Sequence, residues 1–407
     1  MRLLVTFAAL FLSVVLLQLG AGSVVPLDAI SGAQLGFSKS EIGLMGSAHF
    51  LGFFIGCWWA PRLMGEVGHS RAFAAFVAAG TIGILAHMLL VTPVAWSIMR
   101  MAVGLCTAGC YTIIEAWMQA KVTNETRGRA MGVYRIVDIC GSLGAQLMIG
   151  VLEPGSYISY NLLALFLCSA LFPLTLSKTE APETPPAPRL RPQLAWQRSP
   201  LAAVGVVVSG VTGAAFRTVG PMYGQEVGLF ANQLAIYLAV YVLGGALAQY
   251  PVGWAADKYD RRHVLLALSG VATLACIAAI VFAGFGAWAN YVAVAVFGFS
   301  TMPIYSVSTA HAHDYASSME RVELSAALMF LYAVGAIASP YVASVLIEDF
   351  GPGAMYMMIA VAHVLLIAFG VARMNVRPAP GQRTAYTYEP RNSFLTGRLL
   401  AWLRERS

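Results

Sequence analysis

Long apolar runs alternate with short polar gaps along almost the whole chain. A helix needs roughly 20 residues, at about 1.5 Å each, to cross a hydrocarbon core about 30 Å thick. Twelve runs reach about that length: Leu3–Ile30, Glu41–Leu63, Ala72–Val91, Val94–Gln119, Gly128–Leu152, Ser156–Leu176, Pro200–Met222, Asn232–Trp254, Val264–Phe285, Tyr291–Ala312, Leu324–Ile347 and Gly353–Met374. None shows the alternation of a barrel strand, so the pattern predicts an all-α membrane protein with twelve transmembrane helices.

Composition agrees with this pattern. The 407 residues are 58% hydrophobic and 11% charged, outside the usual range of a soluble domain. The first run is about twice as long as the apolar region of a signal peptide and lacks a small-residue cleavage site, so we predict that it is a helix of the protein. We expect a multi-pass protein surrounded by lipid, in a bacterial inner membrane, with no nucleic-acid partner.

The polar gaps predict an orientation. If the N-terminus is cytoplasmic, 21 basic residues fall on the cytoplasmic side, whereas Lys39 alone falls outside. This asymmetry follows the positive-inside rule and places both termini in the cytoplasm.

A Pro-rich and charged gap divides the chain. It predicts six-helix halves at 1–176 and 200–374, a cytoplasmic linker at 177–199 and a cytoplasmic tail at 375–407. The tail could be a basic helix on the inner leaflet or a disordered segment. A shift of about 192 to 194 residues aligns the halves as pseudo-symmetric repeats: Gly36 with Gly228, Gly52 with Gly244, Gly104 with Gly298, Tyr111 with Tyr305, Arg127 with Arg321 and Gly141 with Gly335.

One polar loop of the second half carries a motif. The stretch GWAADKYDRR holds Gly253, Asp257, Lys258, Arg261 and Arg262, and the equivalent stretch of the first half keeps Gly68 and Arg71 but has Gly65 in place of the Asp. With Arg100 and Gly104 in an Arg-x3-Gly pattern, the chain resembles the major facilitator superfamily over essentially its whole length. Asp260 stands where that family usually has Gly. The segments TIIEAWMQAK and RGRAMGVYRIVD also resemble its YcaD-like branch.

The resemblance implies a transporter in which two halves rock about a midplane site. It also implies that the motif loop is a conformational latch on the cytoplasmic side, built from Gly253, Asp257, Lys258, Arg261 and Arg262. We expect Asp257 to follow a helix end, and Arg261 and Arg262 to pair with acidic groups at the cytoplasmic ends of other helices. Glu115, near the cytoplasmic end of helix four, is expected to pair with basic loops such as the one holding Arg71. The alternative is that the basic residues of this motif loop only fix the orientation of the chain in the membrane.

Charged groups inside the apolar runs are the candidates for transport chemistry, because an isolated charge in a bilayer costs about 2.5 to 3.5 kcal/mol. They are Arg100, Arg135 and Arg217, with Asp138, Glu115 and Asp28 as acidic counterparts. Arg135 and Asp138 share one face of a helix and could form either a structural pair or a proton- or substrate-coupled switch.

Arg100 and Arg217 have separate arguments. Arg100 could bind an anionic group or set the charge of a carboxylate, or it could be a packing residue. Arg217, between Gly213 and Pro221, is expected to face a cavity where the helix is broken.

Neutral polar groups extend this set of substrate- or proton-coupling candidates. They are Gln18, His49, Gln146 and Tyr305, the last close to a kink expected at Pro303. His87 and His363 fall on helices three and twelve, which the resemblance places on the outside of the fold, and we assign them no role.

The sequence favours secondary transport of a small anionic or zwitterionic metabolite by alternating access, coupled to protons. The alternatives are an exporter of amphipathic compounds or drugs, and a non-transporting membrane receptor on the same scaffold. No nucleophile motif or metal-ligand spacing occurs, so we expect no enzyme activity, no cofactor and no metal. We expect a monomer.

Overall fold

The computed structural model describes residues 2–122, 124–175 and 190–374, together with Thr384 and Tyr386. All regular structure in these residues is helical. The chain divides into two compact units, Met1–Ala187 and Pro188–Ser407. The tail prediction lies outside the described residues, except at positions 384 and 386.

The first unit begins with a helix interrupted by a π turn. Its elements are α1 (Arg2–Leu17), the π turn Gln18–Gly22, α2 (Ser23–Gln34), α3 (Lys39–Val67), α4 (His69–Ala86), α5 (Pro93–Lys121), α6 (Asn124–Met148), α7 (Tyr157–Ser169) and α8 (Leu171–Thr175). Side-chain capping fixes several helix starts. In α3 the Ser38 hydroxyl accepts from the Glu41 amide while the Glu41 carboxylate accepts from the Ser38 amide.

The second unit starts with a short helix from the segment predicted as a linker. Its elements are α9 (Pro192–Arg198), α10 (Pro200–Glu226), α11 (Ala231–Lys258), α12 (Arg261–Val281), α13 (Ala287–Thr301), α14 (Ile304–His313), a 3₁₀ turn at Ser318–Glu320, α15 (Arg321–Phe350) and α16 (Gly353–Met374).

Eleven helical segments of the described residues are long and apolar enough to cross a membrane. The remaining predicted span corresponds to α6, which has 25 residues but contains Arg129, Arg135 and Asp138. The prediction of an all-helical membrane protein is confirmed, and α6 is the one predicted span whose charge content sets it apart.

Two proline predictions have opposite outcomes. The helix near Pro303 is interrupted, since α13 ends at Thr301 and α14 begins at Ile304. The break expected near Pro221 is wrong, because α10 continues from Pro200 to Glu226. Proline has no N–H, so the only intrahelical bond lost is the one to the carbonyl of Arg217, and a membrane helix tolerates this.

Glycines at the repeat positions bring helix backbones into contact. A Cβ atom on Gly52 would lie 1.9 Å from the carbonyl oxygen of Met101, and one on Gly104 would lie 2.0 Å from that of His49. The equivalent glycines of the second unit would clash in the same way, Gly244 at 2.3 Å and Gly298 at 2.2 Å from carbonyl oxygens. Small residues allow such close packing of membrane helices, so the repeat detected in the sequence encodes the same helix contact in each unit.

Candidate functional site

A cluster of polar side chains lies in the interior of the first unit. Asp28 is on α2, His87 follows the end of α4, Arg100 is on α5 and Tyr160 is on α7. All four are at most 2% exposed. Charged groups in such surroundings are costly unless they are paired, so the contacts within this cluster decide how it can be stable.

The Asp28 carboxylate is at the centre of the cluster. Its Oδ1 accepts a hydrogen bond from the Tyr160 hydroxyl at 2.7 Å, and its Oδ2 lies 3.1 Å from His87 Nε2. The Nε atom of Arg100 is 3.4 Å from the same Oδ2. One carboxylate therefore contacts a guanidinium, an imidazole and a phenol.

The second nitrogen of the imidazole determines where a proton must be. His87 Nδ1 lies 2.7 Å from the carbonyl oxygen of Gly83, which can only accept, so Nδ1 is the donor. Nε2 would then carry a lone pair in neutral imidazole and would face a carboxylate oxygen. A hydrogen bond at 3.1 Å requires a proton either on His87 Nε2 or on Asp28 Oδ2. The geometry is that of a buried site that holds a proton.

Aromatic rings enclose the imidazole. The His87 ring is stacked on Tyr160 at 5.2 Å between centroids and is 4.9 Å from the ring of Trp96. The Trp96 indole N–H donates to the carbonyl oxygen of His87 at 2.9 Å. Tyr160 and Trp96 thus hold the imidazole ring from two sides. The sequence analysis assigned His87 no role, because its burial depends on these contacts with distant residues.

Two nitrogens of the Arg100 guanidinium lack an acceptor among the described residues. Its Nη1 and Nη2 atoms are buried and have no hydrogen-bond partner among the described residues. A buried guanidinium with two unsatisfied nitrogens is unfavourable, and an anionic group or water would relieve this. Whether Arg100 binds an anion, sets the charge of a carboxylate or is a packing residue stays a prediction.

A second cluster in the same unit is centred on Asp138 of α6. Its Oδ1 accepts from Gln18 Nε2 and from the Tyr111 hydroxyl, each at 2.8 Å, and its Oδ2 accepts from Arg135 Nη1 at 3.1 Å. The predicted pair of Arg135 and Asp138 is present, and Gln18 joins it. Tyr111 is a further member that the sequence had indicated only as a repeat position.

The π turn places Gln18 in this cluster. A π turn widens the helix by one residue, and such turns are frequent at functional sites. Gly141 of α6 allows the close approach, because a Cβ there would lie 3.0 Å from the Cβ of Gln18. The first predicted helix is therefore interrupted where its polar residue meets α6.

Other predicted coupling residues have varied positions. His49 is 8% exposed and lies beside Phe50, with their ring centroids 5.3 Å apart. Tyr305 is buried in the second unit against Tyr332, and Gln146 is half-buried on α6. Arg217 is exposed on α10. The structure thus brings Gln18, Arg135 and Asp138 together, and it places Arg100 in the Asp28 cluster.

The motif loop of the second unit is held by Arg261, which is 1% exposed. Its Nη1 donates to Asp314 Oδ1 at 2.7 Å and to the carbonyl oxygen of Ala310 at 2.9 Å. Asp314 caps the end of α14, so Arg261 pairs with an acidic group on another helix, as the sequence analysis expected. Burial raises the pKa of Asp314 above its usual value, although Arg261 and Thr384 act in the opposite direction.

The other motif residues are placed differently. Arg262 is bound to the neighbouring Asp260: its Nε and Nη2 donate to Oδ2 at 3.0 and 2.7 Å, and its backbone amide donates to Oδ1 at 3.0 Å. Its expected pairing with an acidic group of another helix stays a prediction. The two residues are so close in the chain that the N-cap carboxylate of α12 reaches this guanidinium directly. Lys258 lies over the ring of Trp254, 4.7 Å from its centroid. Asp257 is in the last turn of α11 and not beyond its end.

Glu115 and Arg71, the first-half residues of the predicted latch, belong to the first unit. Glu115 is 3% exposed and accepts a hydrogen bond from the Tyr134 hydroxyl at 3.4 Å. Arg71 is exposed on α4. Their predicted pairing stays a prediction.

Comparisons with known proteins agree with this fold. The family model of the Major Facilitator Superfamily matches residues 10–228 and 202–404. The chain is 23% identical over 359 residues to the uncharacterised MFS-type transporter YcaD of Salmonella heidelberg (strain SL476), covering 86% of this chain and 90% of that protein. It is 26% identical over 349 residues to an uncharacterised MFS-type transporter of Yersinia pestis (strain Pestoides F), covering 85% of this chain and 88% of that protein.

Among solved structures, the nucleoside transporter NupG has a TM-score of 0.74 at 16% identity, covering 93% of this chain and all of that one. These findings define a multi-pass membrane transporter. The chain belongs to the Major Facilitator Superfamily, as its sequence motifs predicted.

Proposed function

We propose that the chain is a proton-coupled secondary transporter of a small anionic or zwitterionic metabolite that works by alternating access. The observation that carries the proposal is the contact between Asp28 and His87, whose geometry requires a shared proton. A transporter that couples to protons needs a site that can hold one away from water and release it during the cycle.

The charge of the cluster explains how substrate and proton could be linked. Asp28 is shared by Arg100 and His87, so protonating the carboxylate would weaken its hold on the guanidinium. Arg100 would then be available to an anionic substrate group. Binding of that group and the position of the proton would depend on each other, which is the requirement for coupling.

The Asp138 cluster is the second candidate for contact with substrate. Asp138 is 9% exposed, and its Arg135 partner is partly exposed, so this pair is less enclosed than the Asp28 cluster. Amide, phenol, guanidinium and carboxylate groups together suit a ligand that carries both charges. We assign Gln18, Tyr111, Arg135 and Asp138 to substrate binding on this basis.

The charge balance supports the expected substrate class. Three arginines lie within the membrane-spanning segments. Arg100 is in the Asp28 cluster, Arg135 is in the Asp138 cluster and Arg217 is on α10. The structural neighbours named as a nucleoside transporter and a D-xylose-proton symporter handle small polar solutes, and the second is named for proton symport. We further propose that both termini are cytoplasmic and that the protein works as a monomer.

Uptake into proteoliposomes tests the proposal. A thermal-shift screen of the purified protein against anionic and zwitterionic metabolites supplies the solutes for this assay. We expect a stabilising solute to accumulate when the pH gradient is imposed and to equilibrate only slowly without it. Equal rates with and without the gradient would contradict proton coupling, and no movement in either condition would indicate a receptor.

A further inference from the structure

Two described residues of the C-terminal tail lie against the motif loop of the second unit. Thr384 contacts Arg261 and Asp314, and Tyr386 contacts Asp257. Both tail residues are half-buried. The most charged loop of the unit is therefore already occupied by a segment of the same chain.

Thr384 binds to both members of the buried ion pair. Its amide N–H and its hydroxyl each donate to Asp314 Oδ1 at 2.8 Å. Arg261 Nη1 donates to the Thr384 hydroxyl oxygen at 3.0 Å, and Nη2 donates to the Thr384 carbonyl oxygen. The guanidinium and the carboxylate together satisfy the donor and the acceptor of one peptide residue.

Tyr386 repeats this mode of binding two residues later. Its amide N–H donates to Asp257 Oδ1 at 2.7 Å, and Arg261 Nη2 lies 3.6 Å from the same oxygen. In an extended segment the N–H groups of residues i and i+2 point to the same side. Asp314 and Asp257 accept from the N–H groups of residues 384 and 386, which is this spacing, so the loop binds tail backbone.

The tyrosine ring fixes the register of the tail. It packs against the apolar core that includes Val252, Ala256 and Leu265. Its nearest ring atoms would lie 3.2 Å from a Cβ on Gly253. The glycine of the motif thus leaves room for this ring, and a larger residue would push it away.

We propose that the motif loop of the second unit is a docking site for the chain's own tail around Thr384 and Tyr386. The docked tail contacts Asp257 and Arg261, two of the five loop residues to which the family resemblance assigns a latch. Release of the tail would make Asp257 Oδ1 and Arg261 Nη2 available to another partner. The proposal concerns regulation and is independent of the substrate and of proton coupling.

Hydrogen–deuterium exchange of the full-length protein in nanodiscs tests this docking. The Tyr386 amide, resolved by overlapping peptides, should exchange at least about tenfold more slowly than in an unstructured peptide, because two hydrogen bonds and ring burial hold the segment. Asp257→Ala removes its acceptor and should abolish this protection. The matched control, Asp260→Ala, removes a carboxylate of the same loop that binds Arg262 and should leave the protection in place.

Tail substitutions give a second test that leaves the membrane helices untouched. Thr384→Pro removes the N–H that donates to Asp314 and should speed exchange of the Tyr386 amide by about fivefold or more. Thr384→Ser keeps both the N–H and the hydroxyl that donate to Asp314, so it is the control and should leave the exchange rate unchanged. Exchange of the wild-type amide at the unstructured rate, or an equal effect of both variants, would overturn the proposal.

Discussion

His87 Nε2 lies 3.1 Å from Asp28 Oδ2, while Nδ1 of the same ring lies 2.7 Å from the carbonyl oxygen of Gly83. Because the carbonyl can only accept, Nδ1 is the donor there, and Nε2 is the ring nitrogen that faces the carboxylate. Arg100 contacts the same carboxylate oxygen, and all three side chains are buried in the first unit. This relationship underlies the proposed coupling and gives the first prediction.

Replacing Asp28 with Ala should strongly destabilise the first unit. The change leaves Arg100 and His87 buried without their carboxylate, and breaking a buried ion pair from one side costs about 3 to 5 kcal/mol. Thermal unfolding in detergent or nanodiscs measures the effect. Ser159→Ala is the control, since Ser159 lies beside Tyr160 on α7 and its hydroxyl donates to the Glu153 carbonyl oxygen, outside the Asp28 cluster. A similar loss of stability in both variants would argue against a special role of the cluster.

Replacing Asp138 with Asn should separate binding from folding. An Asn oxygen can still accept from Gln18 and Tyr111, but the Asn amide nitrogen cannot accept from Arg135, so the side chain of Arg135 must turn away. The loss of this partly exposed ion pair costs about 1 kcal/mol. We expect a small change in unfolding temperature and the loss of stabilisation by substrate, both measured by thermal shift. Substrate stabilisation equal to that of the wild type would remove Asp138 from the binding site.

Glycine substitutions should be tolerated only away from the helix contacts. Gly104→Ala places a Cβ atom 2.0 Å from a carbonyl oxygen and should force α3 and α5 apart, and Gly298→Ala should do the same in the second unit. Gly132 has no atom within 4 Å of such a Cβ, so Gly132→Ala should be neutral or stabilise α6 by up to about 1 kcal/mol. Unfolding temperatures of the three variants in one membrane mimic check this ranking.

The contact between Asp260 and Arg262 should make stability depend on acidic pH. Burial alone would raise the pKa of Asp260, but its hydrogen bonds with Arg262 outweigh this and hold the pKa below its usual value. The stabilisation is therefore present above the unfolded-state pKa and is lost as pH falls through the lower folded-state pKa. Unfolding temperature measured against pH should show this loss in the wild type. A curve for Asp260→Asn with the same acidic slope would contradict the assignment.

The sequence predicted those features that depend on local spacing. The apolar runs predicted the helices, and the glycine repeats marked the helix contacts now seen at Gly52, Gly104, Gly244 and Gly298. The three-residue spacing of Arg135 and Asp138 predicted their contact, because such residues share a helix face. These inferences need no knowledge of how distant helices are rotated.

The missed features depend on packing between distant segments. His87 lies at a helix end, and only its contacts with Asp28, Trp96 and Tyr160 reveal that it is buried. The π turn that turns Gln18 toward Asp138 has no signal in hydrophobicity. The contact of Arg262 with Asp260, the N-cap of its own helix, was likewise not foreseen. The contact between Asp28 and Arg100 likewise joins helices that are distant in sequence, so the spacing of the residues does not predict it.

Transport by the Asp28→Asn variant tests the central proposal most directly. This variant keeps the size of the side chain and cannot exchange a proton at that position. Two assays in proteoliposomes are compared, accumulation driven by an imposed pH gradient and exchange of substrate between equal internal and external pools. We predict that Asp28→Asn loses gradient-driven accumulation while retaining exchange, whereas gradient-driven accumulation at the wild-type level would contradict the account.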